Sequence, residues 1–232
     1  MPELVEGLSA CAELESIRLN DIEGSVNLAP AFNNDGLANL KELHITMTGG
    51  ALKGKCELRY PKDISHCKCL ESMLIYTHGR TICYLPEKFD DVNLKSFSNN
   101  GQYATGLYFK NNINFLKQLS HMDNMERLEI AGRVDTQLTV NINNLHRLTV
   151  LSIHECDMVS GYDECYNSKY ECLDTCGTNI TLVEPNFANT PLLNKIELYG
   201  HCAAQFGGEI PASLGHCRNL TNITMKYLGY IK

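Results

Sequence analysis

The stretch Leu148-Thr149-Val150-Leu151-Ser152-Ile153 is one copy of an apolar pattern that returns along the whole chain. Positions one, four and six are apolar, and full copies begin at Leu14, Leu40, Leu70, Met125, Leu148, Leu193 and Leu220, with a degraded copy at Leu94. No copy could bury its own apolar face alone, so recurrence at intervals of about 20 to 50 residues predicts one structural unit stacked repeatedly.

The spacing of the copies gives the organisation of the chain. Successive intervals are 26, 30, 24, 31, 23, 45 and 27 residues, and the long interval after Leu148 favours a cysteine-rich insertion at residues 157–180. Within each copy, apolar and variable residues alternate, which predicts a short strand with one buried side. The inward set includes Leu43, Leu128, Leu151 and Ile196, which we expect to stack behind one sheet.

Proline positions support the same periodicity. Proline fixes φ and has no N–H to donate, so it suits the extended return segment of a coil. Five of the seven prolines stand 8 to 10 residues before a copy of the pattern: Pro30, Pro61, Pro86, Pro185 and Pro211.

Two segments resemble the leucine-rich repeat family. Residues Leu148-Thr-Val-Leu151-Ser-Ile153-His-Glu-Cys156 match the family frame L-x-x-L-x-L-x-x-N/C, with Cys156 in the Asn/Cys position. Residues Gly208-Glu-Ile-Pro-Ala-Ser-Leu-Gly215 are similar to the G-x-I-P-x-x-L-G signature of the plant-type subclass. Other copies lack the Asn or Cys, which suggests irregular repeats.

The resemblance implies an α/β solenoid across residues 1–232 as a single domain. The family fold is a right-handed horseshoe with a short parallel sheet on its concave face. For this chain it implies about eight repeats and a mostly irregular or 3-10 convex side. A repeat array normally needs polar end units, and neither end of the sequence shows one. We therefore expect that the sequence is a segment of a longer chain, or that a partner covers its ends. The partner could be a second copy of the chain, stacked end to end.

Composition excludes several classes. Hydrophobic residues make up 44% of the chain, but no apolar run approaches the roughly 20 residues needed to span a membrane. The net charge is −7, and the 20 Lys and Arg residues form no basic cluster, so nucleic acid is not an expected partner. The amino terminus has no signal-peptide pattern, so the chain is either intracellular or has lost a leader.

The eleven cysteines fall into groups by repeat position. Cys11, Cys67 and Cys217 each lie three residues before a copy, where other copies carry Leu or Met, which predicts small buried apolar side chains. A second group lies in or beside the polar insertion, where disulfides closing loops of about 10 to 20 residues would stabilise by about 3 kcal/mol. That group is Cys156, Cys165, Cys172 and Cys176.

Two alternatives to disulfides stay open for the second group: unlinked thiols, or a zinc site completed by His154 or His201, although only Cys172 and Cys176 have zinc-ligand spacing. The insertion also holds a sequon at Asn179, the expected glycosylation site if the chain is secreted.

Catalytic signatures are lacking. Residues 49–56 approach a phosphate-binding loop, but Cys56 replaces the required Ser or Thr, and an extended stretch follows where a helix is needed. Adjacent Cys and His residues at repeat turns show no spatial arrangement of nucleophile and base. We therefore expect no enzyme activity, no cofactor and no resident metal.

The remaining functional surface is the concave face, formed by the variable strand positions. Tyrosine and arginine are the commonest energetic anchors of interfaces, and we expect the centre of recognition to include Arg18, His44, Tyr76, Arg127, Glu129, His154, Glu197 and Tyr199. The predicted function is a non-enzymatic module that binds a protein, or a glycan, in a surface or secreted protein. The alternative is an intracellular scaffold or sensor domain with reduced thiols.

Overall fold

The chain folds as a parallel β-solenoid of stacked coils with few helices. The computed structural model describes residues 7–32, 37–47, 56–77, 81–99, 107–109, 118–119, 121–134, 138–155, 180–182, 185–199 and 210–226. Three short 3-10 helices lie wholly within this part of the chain, at Ala29–Phe32, Phe187–Asn189 and Ala212–His216. No helix in these residues is long and apolar enough to cross a membrane.

The strands of the described ranges are short. In chain order they are β1 (Ser16–Ile22), β2 (Val26–Asn27), β3 (Glu42–Met47), β4 (Cys56–Arg59), β5 (Ser72–Thr77), β6 (Thr81–Tyr84), β7 (Ser96–Ser98), β8 (Leu107–Phe109), β9 (Arg127–Val134), β10 (Leu138–Val140), β11 (Val150–Glu155), β12 (Ile180–Leu182), β13 (Lys195–Tyr199) and β14 (Asn222–Lys226).

Parallel pairing arranges these strands on two sides of each coil. The first sheet follows the repeated pattern in the order β1-β3-β5-β7-β9-β11-β13-β14. The second sheet runs β2-β4-β6-β8-β9, so the long strand β9 belongs to both sheets. A separate parallel ladder joins β10 to β12. The sequence analysis did not predict the second sheet, because its strands carry too few residues to show a periodic pattern.

The inward residues of the first sheet stack in register, as the sequence predicts. Leu128 pairs with Leu151, and Leu151 pairs with Ile196 on the next strand. Leu43, Leu128, Leu151 and Ile196 are all buried in one continuous core. The stacked solenoid is therefore confirmed, whereas the horseshoe curvature, the repeat number and the leucine-rich-repeat identity stay predictions.

One backbone contact repeats between all neighbouring strands of the first sheet. The residue that follows each lead residue offers its carbonyl oxygen to two N–H groups of the next coil. For example, Glu126 O accepts from Thr149 N at 2.7 Å and from Val150 N at 3.1 Å. We call these positions the entry column: Glu15, Lys41, Glu71, Lys95, Glu126, Thr149, Asn194 and Thr221.

Side chains of the entry column reinforce this register. Its first five members alternate in charge, and the Lys41–Glu15 and Lys95–Glu71 ion pairs are both 2.7 Å long. Farther along, the Thr149 hydroxyl donates to Glu126 O at 2.8 Å. Single exposed ion pairs contribute little to stability. If one coil were skipped in the stack, however, residues of like charge in the entry column, such as Glu15 and Glu71, would become neighbours.

Asn99 extends the strand pairing in the degraded copy of the pattern, which begins at Leu94. It holds position six, where the other copies carry Ile, Leu or Met, and it is fully buried. Strand β7 ends one residue earlier, and the Asn99 side chain continues the pairing with β9. Its Oδ1 accepts from Ala131 N at 2.6 Å, and its Nδ2 donates to Ala131 O. The Asn99 side-chain amide thus forms with Ala131 the two hydrogen bonds that a strand backbone would otherwise form.

No disulfide joins the six cysteines of the described residues, which are Cys11, Cys56, Cys67, Cys69, Cys83 and Cys217. Cys67 and Cys217 are buried at the repeat position predicted for them, whereas Cys11, in the first coil, is exposed. Burial raises the pKa of Cys67 to about 12 and also raises the pKa of Cys217. The predicted disulfide cysteines Cys156, Cys165, Cys172 and Cys176, with Asn179, lie outside the described residues.

We predict that Asn99→Ala destabilises the chain by about 2 kcal/mol or more, because each buried polar group left unpaired costs about 1–3 kcal/mol. Asn99→Leu should not restore stability, although it matches the pattern, because the Ala131 N–H and C=O stay unpaired. Urea denaturation measures both changes, with the exposed Asn222→Ala as control. Wild-type stability of Asn99→Leu would contradict this role.

We predict that alkylation at neutral pH modifies the exposed Cys11 and Cys69 before the buried cysteines of the described residues. Cys67 should react at least about 100-fold more slowly, because the thiolate is the reactive form and each unit of pKa reduces it tenfold. Peptide mapping by mass spectrometry after timed iodoacetamide treatment gives the rate at each site, and the urea-denatured chain is the control. Equal rates at Cys67 and Cys69 in the folded chain would refute the burial assignment.

Candidate functional site

The outward side chains of the first sheet form the candidate site, which we call the outer face. They stand in three rows because every strand is parallel and in register. The leading row is Ser16, Glu42, Ser72, Ser96, Arg127, Val150, Lys195 and Asn222. The central row is Arg18, His44, Leu74, Ser98, Glu129, Ser152, Glu197 and Thr224. The trailing row includes Thr46, Tyr76, Ala131 and Tyr199.

The residues predicted for recognition all lie on strands of the first sheet, but at different distances from one another. Arg18 and His44 are register partners on β1 and β3. The backbone of His154 pairs with Tyr199 on β13. Arg18 and Glu197 are six strand steps apart, or about 29 Å at a strand spacing of about 4.8 Å. A ligand that contacts the whole set must therefore be extended.

The carboxylate of Glu42 is held by two side chains of the preceding coil. Arg18 Nη2 donates to Glu42 Oε2 at 2.7 Å, and Ser16 Oγ donates to the same oxygen at 3.2 Å. Hydrogen bonds from Arg18 and then from Ser16 lower the pKa of Glu42 below its usual range. This cluster is exposed to solvent.

Glu129 has the same kind of partners in the middle of the sheet. Ser98 Oγ of the preceding strand donates to Glu129 Oε2 at 2.5 Å. Arg127, on the same strand as Glu129, places Nη1 3.1 Å from Oε1. The Glu129 side chain is only 8% exposed. The residue is therefore a buried carboxylate with a cation beside it, and not the open contact residue that the sequence predicts.

Glu197 completes the series on β13. Ser152 Oγ, on the neighbouring strand β11, donates to Glu197 Oε2 at 3.3 Å. Lys195 Nζ, on β13 itself, lies 2.9 Å from the same oxygen. Each of the three clusters thus combines a carboxylate, a basic side chain and a serine from the coil before. Sequence reasoning missed these serines, because the register between coils decides which serine meets which carboxylate. The K/R-x-E triplets of β9 and β13 indicate only the ion pairs within those strands.

His44 lies between the first and third coils of the outer face. Its Nε2 is 3.2 Å from Ser72 Oγ, and the ring is half-buried. Burial lowers the pKa of His44, an effect partly opposed by Glu42 and increased by Arg18. The neutral ring is therefore favoured at neutral pH, in which one nitrogen donates and the other accepts a hydrogen bond.

The middle of the outer face is less exposed than its two ends. Ser98, Glu129 and Ser152 are consecutive members of the central row, and all three are buried. Val150 and Ala131 beside them are buried as well. At the ends, Arg18 is exposed and Tyr199 is half-buried. A partner would therefore meet open side chains mainly in the first three and the last two strands.

The opposite side of the coil, the second sheet, has its own outward cluster. The Arg59 guanidinium stacks on the Tyr84 ring with its carbon 4.1 Å from the ring centroid. Arg59 also forms a 2.7 Å ion pair with Glu57 on the same strand. Because Tyr84 is a tyrosine remote from the outer face, it offers a matched control for substitutions there.

The described residues hold no group of three or more His, Cys, Asp or Glu side chains that could bind a metal ion. Comparisons with protein-family models, curated proteins and solved structures found no match to this chain.

We predict that Glu129→Gln destabilises the chain by about 1.5–3 kcal/mol, because hydrogen bonds to charged groups contribute about that much and the change leaves Arg127 without its counter-charge. Glu42→Gln, the same change in the exposed cluster, should have a much smaller effect. Thermal or urea unfolding of the two variants measures the difference. Equal losses would show that burial does not strengthen the Glu129 cluster.

Proposed function

We propose that this chain is a non-enzymatic binding module of the leucine-rich-repeat type that captures a protein or glycan ligand on its outer face. The observation that carries the proposal is the register of the first sheet. Among the described residues, outward polar side chains from its eight neighbouring strands form one surface. Solenoids commonly use such extended surfaces for binding.

The size of the surface supports the proposal. Eight strands span about 34 Å at a spacing of about 4.8 Å, and a standard protein interface needs about 800 Å² from each partner. The polar clusters hold Arg18, Glu42, Lys195 and Glu197 in fixed positions, which lowers the entropy lost when a ligand binds. Buried Glu129 would act as a positioning residue that holds Arg127.

We propose a surface or secreted protein as the setting, with the oxidised insertion predicted from the sequence. The second candidate is an intracellular scaffold or sensor domain. The observation that favours it is that no disulfide joins the six cysteines of the described residues. Counting thiols in the denatured chain, with and without reductant, separates the two settings, because only an oxidising compartment preserves disulfides.

The test of the binding module compares the removal of tyrosine side chains from the outer face with the removal of one from the second sheet. We expect the double variant Tyr76→Ala, Tyr199→Ala to lose ligand capture by roughly 10-fold or more, because buried aromatic anchors contribute about 2 kcal/mol or more each to binding. Tyr84→Ala, on the second sheet, should capture ligand as the wild type does. Capture is quantified by mass spectrometry and by glycan analysis of material retained on the immobilised chain.

Circular dichroism and the unfolding midpoint check that both variants stay folded. Capture that is unchanged in the double variant, or lost equally in Tyr84→Ala, would remove the outer face as the binding site. A failure of the double variant to fold would be answered with the single variants Tyr76→Ala and Tyr199→Ala, each of which should weaken capture while staying folded.

A further inference from the structure

The outer face carries its charges as balanced groups. Among the described side chains, the charged members are three carboxylates and three basic groups, and each carboxylate lies within 3.1 Å of one basic group. The pairs are Arg18 with Glu42, Arg127 with Glu129, and Lys195 with Glu197. A charged ligand would therefore gain little from long-range attraction to this face.

The same clusters are rich in hydrogen-bonding capacity. An ionised carboxylate has about four lone-pair sites and an arginine five N–H donors, so one pair does not exhaust either group. In the exposed Glu42 cluster, Arg18 and Ser16 both donate to the same carboxylate oxygen, Oε2, and the Glu42 side chain is 38% exposed. Such a cluster presents donors and acceptors side by side. A hydroxyl group, which donates and accepts at once, matches this arrangement.

The composition of the outer face differs from that of a protein interface. The core of a protein interface is apolar, and Ser, Lys and Glu are depleted there. The central row has one large apolar member, Leu74, and it includes two serines and two glutamates. The leading row adds three more serines, Ser16, Ser72 and Ser96. A hydroxyl-rich ligand fits this surface better than the apolar centre of a protein partner.

Two tyrosines of the trailing row are spaced for an extended ligand. Tyr76 on β5 and Tyr199 on β13 are both half-buried and stand four strand steps apart, or about 19 Å. The faces of aromatic rings carry partial negative charge, and they pack well against the C–H face of a sugar ring. An oligosaccharide that contacts both rings would pass the exposed Arg127 on β9 and reach Lys195 and Glu197 on β13. Arg18 and Glu42 lie beyond Tyr76, on β1 and β3, where a longer oligosaccharide would reach them.

We infer that the ligand of the outer face is a neutral oligosaccharide, bound by hydrogen bonds to the balanced clusters and by ring packing on Tyr76 and Tyr199. This inference rests on the proposed binding function and narrows it to one class of ligand. It also accounts for the mutual pairing of the charged side chains, since paired groups are already positioned before the ligand arrives.

The test is an array of immobilised neutral, sialylated and sulfated oligosaccharides, probed with the purified chain. The strongest neutral hit is then titrated calorimetrically at 0.1 M and 1 M NaCl, where the screening length falls from about 10 Å to about 3 Å. We expect Kd to change by less than about threefold between these salt concentrations. The double variant Tyr76→Ala, Tyr199→Ala should weaken binding roughly 10-fold or more, and Tyr84→Ala should leave it unchanged.

The outcomes separate the ligand class from the binding function. Binding only to acidic glycans, with affinity lost at 1 M NaCl, would overturn the neutral class. A protein ligand that the double tyrosine variant fails to capture, with no glycan bound, would overturn the inference and leave the binding module standing. Absence of any ligand that depends on the outer face would overturn both.

Discussion

The carbonyl of each entry-column residue accepts two backbone N–H groups from the next coil, and the rest of the solenoid depends on this shared acceptor. The contact recurs from Glu15 to Asn222, at every step between strands of the first sheet. It fixes which residue faces which, and a slip of one residue would turn the aliphatic set outward. The buried stack of Leu128, Leu151 and Ile196 and the rows of the outer face are both consequences of that register.

Fixed register also explains how coils of unequal length are tolerated. The interval between copies varies from 23 to 45 residues, yet Leu151 and Ile196, across the longest interval, are direct partners. The difference in length is accommodated between strands, because only the pattern and its turn must match the neighbouring coil. Asn99 shows the same tolerance within a strand, since its amide replaces backbone bonds that the short β7 cannot supply.

The polar clusters link the fold to the proposed function. Serine from one coil and carboxylate from the next meet because the coils are in register, so Ser98 reaches Glu129 and Ser152 reaches Glu197. These bonds join neighbouring coils, and the same carboxylates hold Arg127 and Lys195 by ion pairs. In the proposed function, this positions the basic side chains for a ligand. The charges of this face are thus balanced within the protein, since each carboxylate has a basic side chain beside it.

The sequence alone determined the stacked architecture, the inward column and the location of the outer face, because a six-residue apolar pattern repeated eight times admits one arrangement that buries every copy. It also identified Cys67 and Cys217 as buried, since they replace aliphatic residues at one repeat position. Only the tertiary structure decided that Glu129 is buried, that Asn99 completes a strand, and that a second sheet forms. These features arise from contacts between residues about 25 to 45 positions apart, and a pattern read along one coil does not show which side chains of the next coil they meet.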